Sequence, residues 1–276
     1  MKKIQLIFAA AICFSTATLA QSKTSLNLPK GQKYQLENKL ETSSSTDVNG
    51  QTMETKVNVT STYNIEVKDK VNNNYNLTNT ITHMLMNMTM MGTEINFDSD
   101  KPEDMNGEMG ASLKDYINKP KDVEIDNTGK IISKIEEDSS EEGIAKQLNL
   151  AATGYGAQMA FLALPQNAKV GTNWTDSTNE SGISRTTHYS IKDITGNIAT
   201  VSFDGTVNSK TTMERQGMEV SSNTNGKFSG EEKVDVKTGV VQSNTTTGDA
   251  TGTVSAMGQD FPMTSKVTST TTVKAL

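Results

Sequence analysis

Cysteine is almost missing from this chain: Cys13 is the single one in 276 residues. No disulfide framework can therefore hold the fold. Histidine is nearly as scarce, with only His83 and His188, so few side chains exchange protons near neutral pH without a large shift. Aromatic residues make up 5% of the chain. That is too few for the two girdles of an outer-membrane barrel, and the closing "TTTVKAL" lacks a terminal aromatic. Beyond the start of the chain no apolar run reaches membrane-spanning length. There is no Gly-Xaa-Ser-Xaa-Gly elbow, no His-Glu-Xaa-Xaa-His and no phosphate loop. These absences point away from an enzyme and from an integral membrane protein, and no cofactor is expected. The net charge is −6, or −8 once Lys2 and Lys3 are set aside. That acidity disfavours nucleic acid and anionic membrane surfaces as partners.

The start of the chain is distinctive. "MKKIQLIFAAAICFSTATLA" has a charged Lys2-Lys3 opening, an apolar run from Ile4 to Phe14, and small residues at Thr18-Leu19-Ala20. This is the pattern of an export signal cleaved before Gln21. Cys13 follows Ile12 inside the apolar run, where an acylated cysteine would follow a small residue, so it is expected to leave with the signal. The expected domains are a signal over 1–20 and one β-rich domain over 21–276, exported to the periplasm or cell surface of a Gram-negative bacterium. With no cysteine left, that domain must be stabilised by burial, for which it is long enough.

Alternation is what the chain has in abundance. From Met53 to Val67 the odd positions carry Met, Val, Tyr and Ile among small residues, while the even ones are nearly all polar. This is a strand with one wet face. Tyr34, Leu36 and Leu40 precede Asn49-Gly50, a favoured two-residue hairpin loop. Such a loop sets Leu40 opposite Val59, Leu36 opposite Tyr63 and Tyr34 opposite Ile65, so turn chemistry and burial demand one register. In "THMLMNMTMMG" a two-residue loop at Met91-Gly92 sets Met88 opposite Ile95, Met86 opposite Phe97 and Met90 opposite Thr93. Upstream the apolar positions are odd (Tyr75, Leu77, Ile81), so the face switches near His83-Met84, by a bulge or by burial of both faces. In "DITGN" a three-residue loop, Ile194 to Gly196, would pair Ile191 with Ala199, Tyr189 with Val201 and Thr187 with Phe203.

Two segments interrupt the strands. Ser112 to Ile117 reads as a short helix. A longer one, about 141–164, opens with a Ser139/Glu142 capping box and stops at Pro165. Its stripe of Ile144, Leu148, Tyr155, Met159 and Leu162 follows helical spacing, with Gly154 and Gly156 weakening its middle. The expected architecture is mainly β: a large curved antiparallel meander or open half-barrel, in two halves, 21–138 and 166–276, flanking that helix.

The sites available to chemistry are few. His188 shares an even, polar face with Ser184, Thr186 and Ser190, and reads as solvated. His83 reads as half-buried. The methionines are soft donors suited to Cu(I), but alternate residues on a strand stand about 7 Å apart and the partners Ile95 and Phe97 are not ligands. Apolar packing is the stronger reading, and no metal is expected. The Asp-Xaa-Thr-Gly segments at 126–129 and 193–196, and the related 235–239, read as turns rather than calcium loops. The acidic "FDSDKPEDMNGEMG" reads as a solvated connector.

"LPKGQKYQLE", "VEIDNTGKI", "LPQNAKVGTNWT" and "DVKTGVVQS" together resemble a family of exported, uncharacterised cell-envelope domains from Bacteroidetes-type bacteria. The resemblance spans most of the chain after the signal, and its motifs are structural turns. It implies antiparallel β structure and assigns no catalytic or ligand residue. More remotely, the expected curved sheet is similar to periplasmic lipoprotein-carrier half-barrels. The functional expectation is a non-enzymatic envelope protein that binds a lipid or apolar peptide between sheet and helix. The candidate lining is Met84, Met86, Met88, Met90, Phe97, Tyr155 and Met159. The alternative is a structural or interaction module with a filled core.

Overall fold

The computed structural model describes residues 24–48, 50–90, 92–132, 155–180, 182–215, 218–256 and 258–276. Eleven strands form one antiparallel sheet: β1 (Lys33–Val48), β2 (Gln51–Val71), β3 (Asn74–Met90), β4 (Thr93–Asp98), β5 (Lys121–Ile125), β6 (Asn173–Glu180), β7 (Ile183–Thr195), β8 (Ile198–Arg215), β9 (Met218–Asp235), β10 (Val241–Ala256) and β11 (Gln259–Ala275). Their spatial order is β4-β3-β2-β1-β11-β10-β9-β8-β7-β6, with β5 also on β3. The sheet is open and does not close into a barrel. Among the described residues three short helices accompany it: α1 (Pro102–Met105), α2 (Glu108–Leu113) and α3 (Tyr155–Ala160).

Turn chemistry fixes the pairing. Gly50 adopts φ of +80° and Gly92 of +79°, the left-handed region that glycine enters without a Cβ penalty. The registers follow: Leu40 faces Val59, Leu36 faces Tyr63 and Tyr34 faces Ile65, while Met88 faces Ile95, Met86 faces Phe97 and Met90 faces Thr93. The face switch in β3 is a bulge. Thr62 pairs with His83 but Tyr63 with Ile81, leaving Thr82 as the extra residue.

Other expectations are corrected. "DITGN" does not close a three-residue loop, because the strands run on to Thr195 and Ile198 and leave Gly196-Asn197 as the loop. Ile191 therefore faces Val201 and Tyr189 faces Phe203, with a bulge between Ile191 and Asp193. The two-residue displacement leaves Tyr189, Ile191, Val201 and Phe203 on their expected face. The helix expected over 112–117 is displaced: α2 ends at Leu113 and Ile117 bridges Ile81 in β3. The connector at 97–110 contains the single turn α1, with Pro102 at its start where the missing N–H costs nothing. Of the helix expected over 141–164, residues 141–154 lie outside the described residues. Its end is Ala160 rather than Leu164, since Phe161 bridges Val240 and the Leu162 N–H donates to Gly239.

Burial concentrates at one end of the strands. The larger cluster gathers Leu36, Ile65, Leu77, Met86 and Phe97 from the sheet under Leu113 of α2 and Ala157 and Ala160 of α3. A smaller one joins Trp174, Ile191, Val201 and Val234 under Leu164. The Asx turns serve this end. Asp126 Oδ1 accepts from the Thr128 and Lys130 N–H groups, and Asp235 Oδ1 from those of Lys237 and Thr238. These carboxylates satisfy turn amides.

Candidate functional site

Because strand side chains alternate, the registers define one continuous inner face. One cross-strand row runs Phe97, Met86, Val59, Leu40, Ser269, Thr246, Gly230, Phe203, Tyr189 and Trp174. The next, toward the hairpin tips, runs Ile95, Met88, Val57, Thr42, Val267, Gly248, Phe228, Gly205 and Thr187. The first row is mostly covered at its ends. In the second, Met88, Val57, Val267 and Phe228 are all partly exposed. The core end is thus packed, and the same face continues outward as an apolar strip in contact with solvent.

The candidate lining separates along this boundary. Met84 and Met86 are fully buried (0% exposed), as is Phe97. Met88 is half-buried and Met90 is 40% exposed. The methionine stripe is therefore half core and half open surface. Met159 of α3 lies on the inner face, where its sulfur accepts a hydrogen bond from Thr271 Oγ1 at 3.8 Å. Tyr155 begins α3, and its side chain lies outside the described residues.

Three features of this face were not read from the sequence. First, an aromatic run crosses the far half. Trp174 stacks on Tyr189 (centroids 4.9 Å, interplanar 7°), followed by Tyr189–Phe203 at 6.0 Å and Phe203–Phe228 at 6.3 Å. Glycines make room for it. A Cβ on Gly230 would lie 2.4 Å from Phe203 Cζ, and one on Gly205 would lie 2.6 Å from Phe228 Cζ. The tips of the Phe203 and Phe228 rings lie over bare backbone, where any side chain would meet them.

Second, Arg185 extends over Phe228, its Cζ 4.1 Å from the ring centroid, while its Nε donates to Thr187 Oγ1 at 3.3 Å. Third, Glu232 sits between Val201 of β8 and Asn244 of β10. Asn244 Nδ2 donates to Glu232 Oε1 at 2.6 Å, whereas the buried Oε2 has no hydrogen-bond partner. Burial pushes this carboxyl up to about 7, against the opposing pull of Asn244 and Arg185. The residue as a whole is only half-buried, but the sealed oxygen governs the desolvation. Burial also raises the Tyr189 hydroxyl, with the Glu232 charge adding to it. The signal for Arg185 was present: it shares odd parity with Tyr189 and Ile191, on the apolar side of β7.

The histidines lie on the other face. His188 is exposed, its Nδ1 2.9 Å from Thr175 Oγ1, in a shallow polar hollow of about 300 Å³ with Ser190, Ser202 and Asp204. The His83 Nε2 is 3.3 Å from Asp98 Oδ1 and 3.6 Å from Asp100 Oδ2. These three groups are close enough to share a cation, yet Asp100 is 74% exposed. The Asp98 carboxyl is held below its ordinary value chiefly by the Asp100 N–H, with His83 adding to the effect. A hydrogen bond between the His83 ring and the Asp98 carboxylate accounts for this arrangement. No described helix is long and apolar enough to cross a membrane.

Comparison with known proteins adds a family. The model of a family of unknown function, DUF6263, matches residues 72–152 and 136–241, more than half of the chain. The chain belongs to DUF6263. No curated protein matches it. Among solved structures, this DUF6263 chain is similar to one described as lipid-protein interactions in lipovitellin, with a TM-score of 0.51 and 12% identity. The alignment covers 90% of this chain and 25% of that one, so the chain spans about a quarter of the lipovitellin length. At that identity the likeness concerns the fold. A second match is an outer membrane channel from Pseudomonas putida F1, with a TM-score of 0.24 and 9% identity over 91% of this chain and 98% of that one.

Proposed function

We propose that this protein is a non-enzymatic, exported cell-envelope protein that binds an apolar ligand, a lipid or acyl chain, on the inner face of its sheet. The observation that carries this reading is the partly exposed apolar strip that crosses the strands beside the covered core, from Met88 and Val57 through Val267 to Phe228. Contiguous apolar surface left in contact with water marks an interaction site more often than idle surface. Methionine suits guests of loosely defined shape. The fold shared with lipovitellin, a protein whose lipid interactions are described, supports the same reading. Export rests on the opening signal pattern.

The test is native mass spectrometry of the chain from Gln21 after exposure to a bacterial lipid extract, paired with thermal denaturation. A bound species that raises Tm, and that Val267→Asp removes while the fold is retained, is the expected result. No bound species and no shift in Tm would favour an interaction module with a filled core.

A further inference from the structure

The inner face is almost free of charge. On β1, β3, β4, β10 and β11 its register positions hold only apolar residues, Thr, Ser, Asn, Gln, Gly and Ala, and β2 adds one charge, Lys70, opposite Tyr75 at the core end. Among the described side chains β8 adds none, β9 contributes Glu232, β7 contributes Arg185, and the edge strand β6 contributes Asp176. Lys70 stands at the core end, its ammonium 4.7 Å from the Tyr75 ring centroid, so among the described side chains Arg185 is the cation that borders the open apolar strip. It is exposed, and it rests at the end of the apolar strip against the ring of Phe228. A cation placed where an apolar track ends is complementary to an amphiphile with one tail and one anionic head.

Resting on the apolar-ligand reading above, we propose that the ligand is a single-chain amphiphile with a carboxylate head. The head would seat on the Arg185 guanidinium, and the tail would run along Phe228, Gly248 and Val267 toward Val57. From β7 to β11 the track crosses four strand spacings, about 19 Å in all, enough for a medium-length acyl chain. Arg185 presents planar, paired N–H donors that match a carboxylate at the guanidinium edge, while the guanidinium face stays over the Phe228 ring. Glu232 sets the pH window of this site. It is faced by Arg185 and Tyr189 from β7, by Asn244 from β10, and by the apolar Val201 and Phe203 from β8, with Asp176 farther out on β6. As a neutral acid it leaves Arg185 to the ligand. Once ionised it competes for the same cation and repels the incoming head.

The experiment uses the chain from Gln21 with laurate, dodecanol and dodecyltrimethylammonium, equal in tail length, titrated below their micelle concentrations by calorimetry at pH 6 and pH 8. Laurate is ionised at both. At pH 6 laurate is expected to bind about tenfold more tightly than dodecanol and the cation to bind worst. Arg185→Met is expected to erase the laurate preference and leave dodecanol unchanged, and Arg185→Lys to keep part of it. Laurate affinity is expected to fall from pH 6 to pH 8, and Glu232→Gln to remove that fall. Should Arg185→Met not fold, raising salt on the unaltered protein is expected to weaken laurate and spare dodecanol. Equal affinity of all three, a preference that survives Arg185→Met, or laurate binding indifferent to salt overturns the head assignment while leaving the apolar-ligand reading intact. Absence of binding by any of the three overturns both.

Discussion

Glu232 carries a cost that a single proton controls. Its carboxyl titrates near 7 in the folded protein because burial disfavours the ionised form. In the unfolded chain it titrates at the ordinary glutamate value of about 4.3. Between those values the folded state binds more protons than the unfolded one, so stability falls as pH rises, and above the folded value the penalty is fully present. Its upper bound is about 4 kcal/mol. Glu232→Gln keeps an oxygen to accept from Asn244. It is expected to flatten the decline in urea-unfolding free energy between pH 5 and pH 7 and to be relatively more stable at pH 8 than at pH 4. An unchanged slope would place the charge in water. The methionines make a second comparison at this scale. Met86→Ala empties a sealed position and is expected to cost about 2–5 kcal/mol. Met90→Ala, at a 40% exposed position, is expected to change stability by less than about 0.5 kcal/mol. Parity assigned both to one face. It could not say where along the strand the cover ends, because that depends on α3 and Phe97, which approach from elsewhere in the chain.

At the scale of elements, pairing was legible wherever a turn had strict backbone demands. Asn49-Gly50 and Met91-Gly92 each allow one short loop, and the burial pattern selects the same register. Asp193 to Asn197 offered two loops that preserve which side chains share a face, so alternation could not choose between them. The bulge at Ile191/Asp193 decided the pairing. The short helices were less legible still, since a six-residue helix is held by what it docks on rather than by propensity. α2 is a case: Gly110 packs so closely on Met105 that a Cβ would meet the Met105 carbonyl oxygen at 2.3 Å. The bulge in β3 gives a test. Deleting Thr82 leaves Ile81, His83 and Met84 in regular alternation, so the variant is expected to fold with a loss under about 2 kcal/mol. Deleting Leu85 turns Met86 to the outer face and is expected to cost far more. Urea denaturation of the pair, read by far-ultraviolet circular dichroism, checks the contrast, and equal losses would contradict the register.

For the molecule as a whole, the two meander halves form one sheet, joined where β1 pairs with β11 from Tyr34–Ala275 to Thr46–Met263. The expected half-barrel is present as an open sheet, but the joint at its centre was not read from the sequence: nothing local in "KYQLENKLETSSST" or "MTSKVTSTTTVKA" says that they are partners. Truncation after Lys266 is expected to replace a single cooperative transition with two weaker ones, or to abolish folding, in calorimetry. Retention of one sharp transition would argue against the joint. The same feature governs how the protein is made. Tyr34 leaves the ribosome 241 residues (275 − 34) ahead of its partner Ala275. During that interval β1 presents an unoccupied strand edge to the surroundings, and pairing over so large a separation is slow. Nascent molecules held close together can therefore complete the sheet with a neighbour's last strand, so dilution and holding factors should govern the yield of monomer.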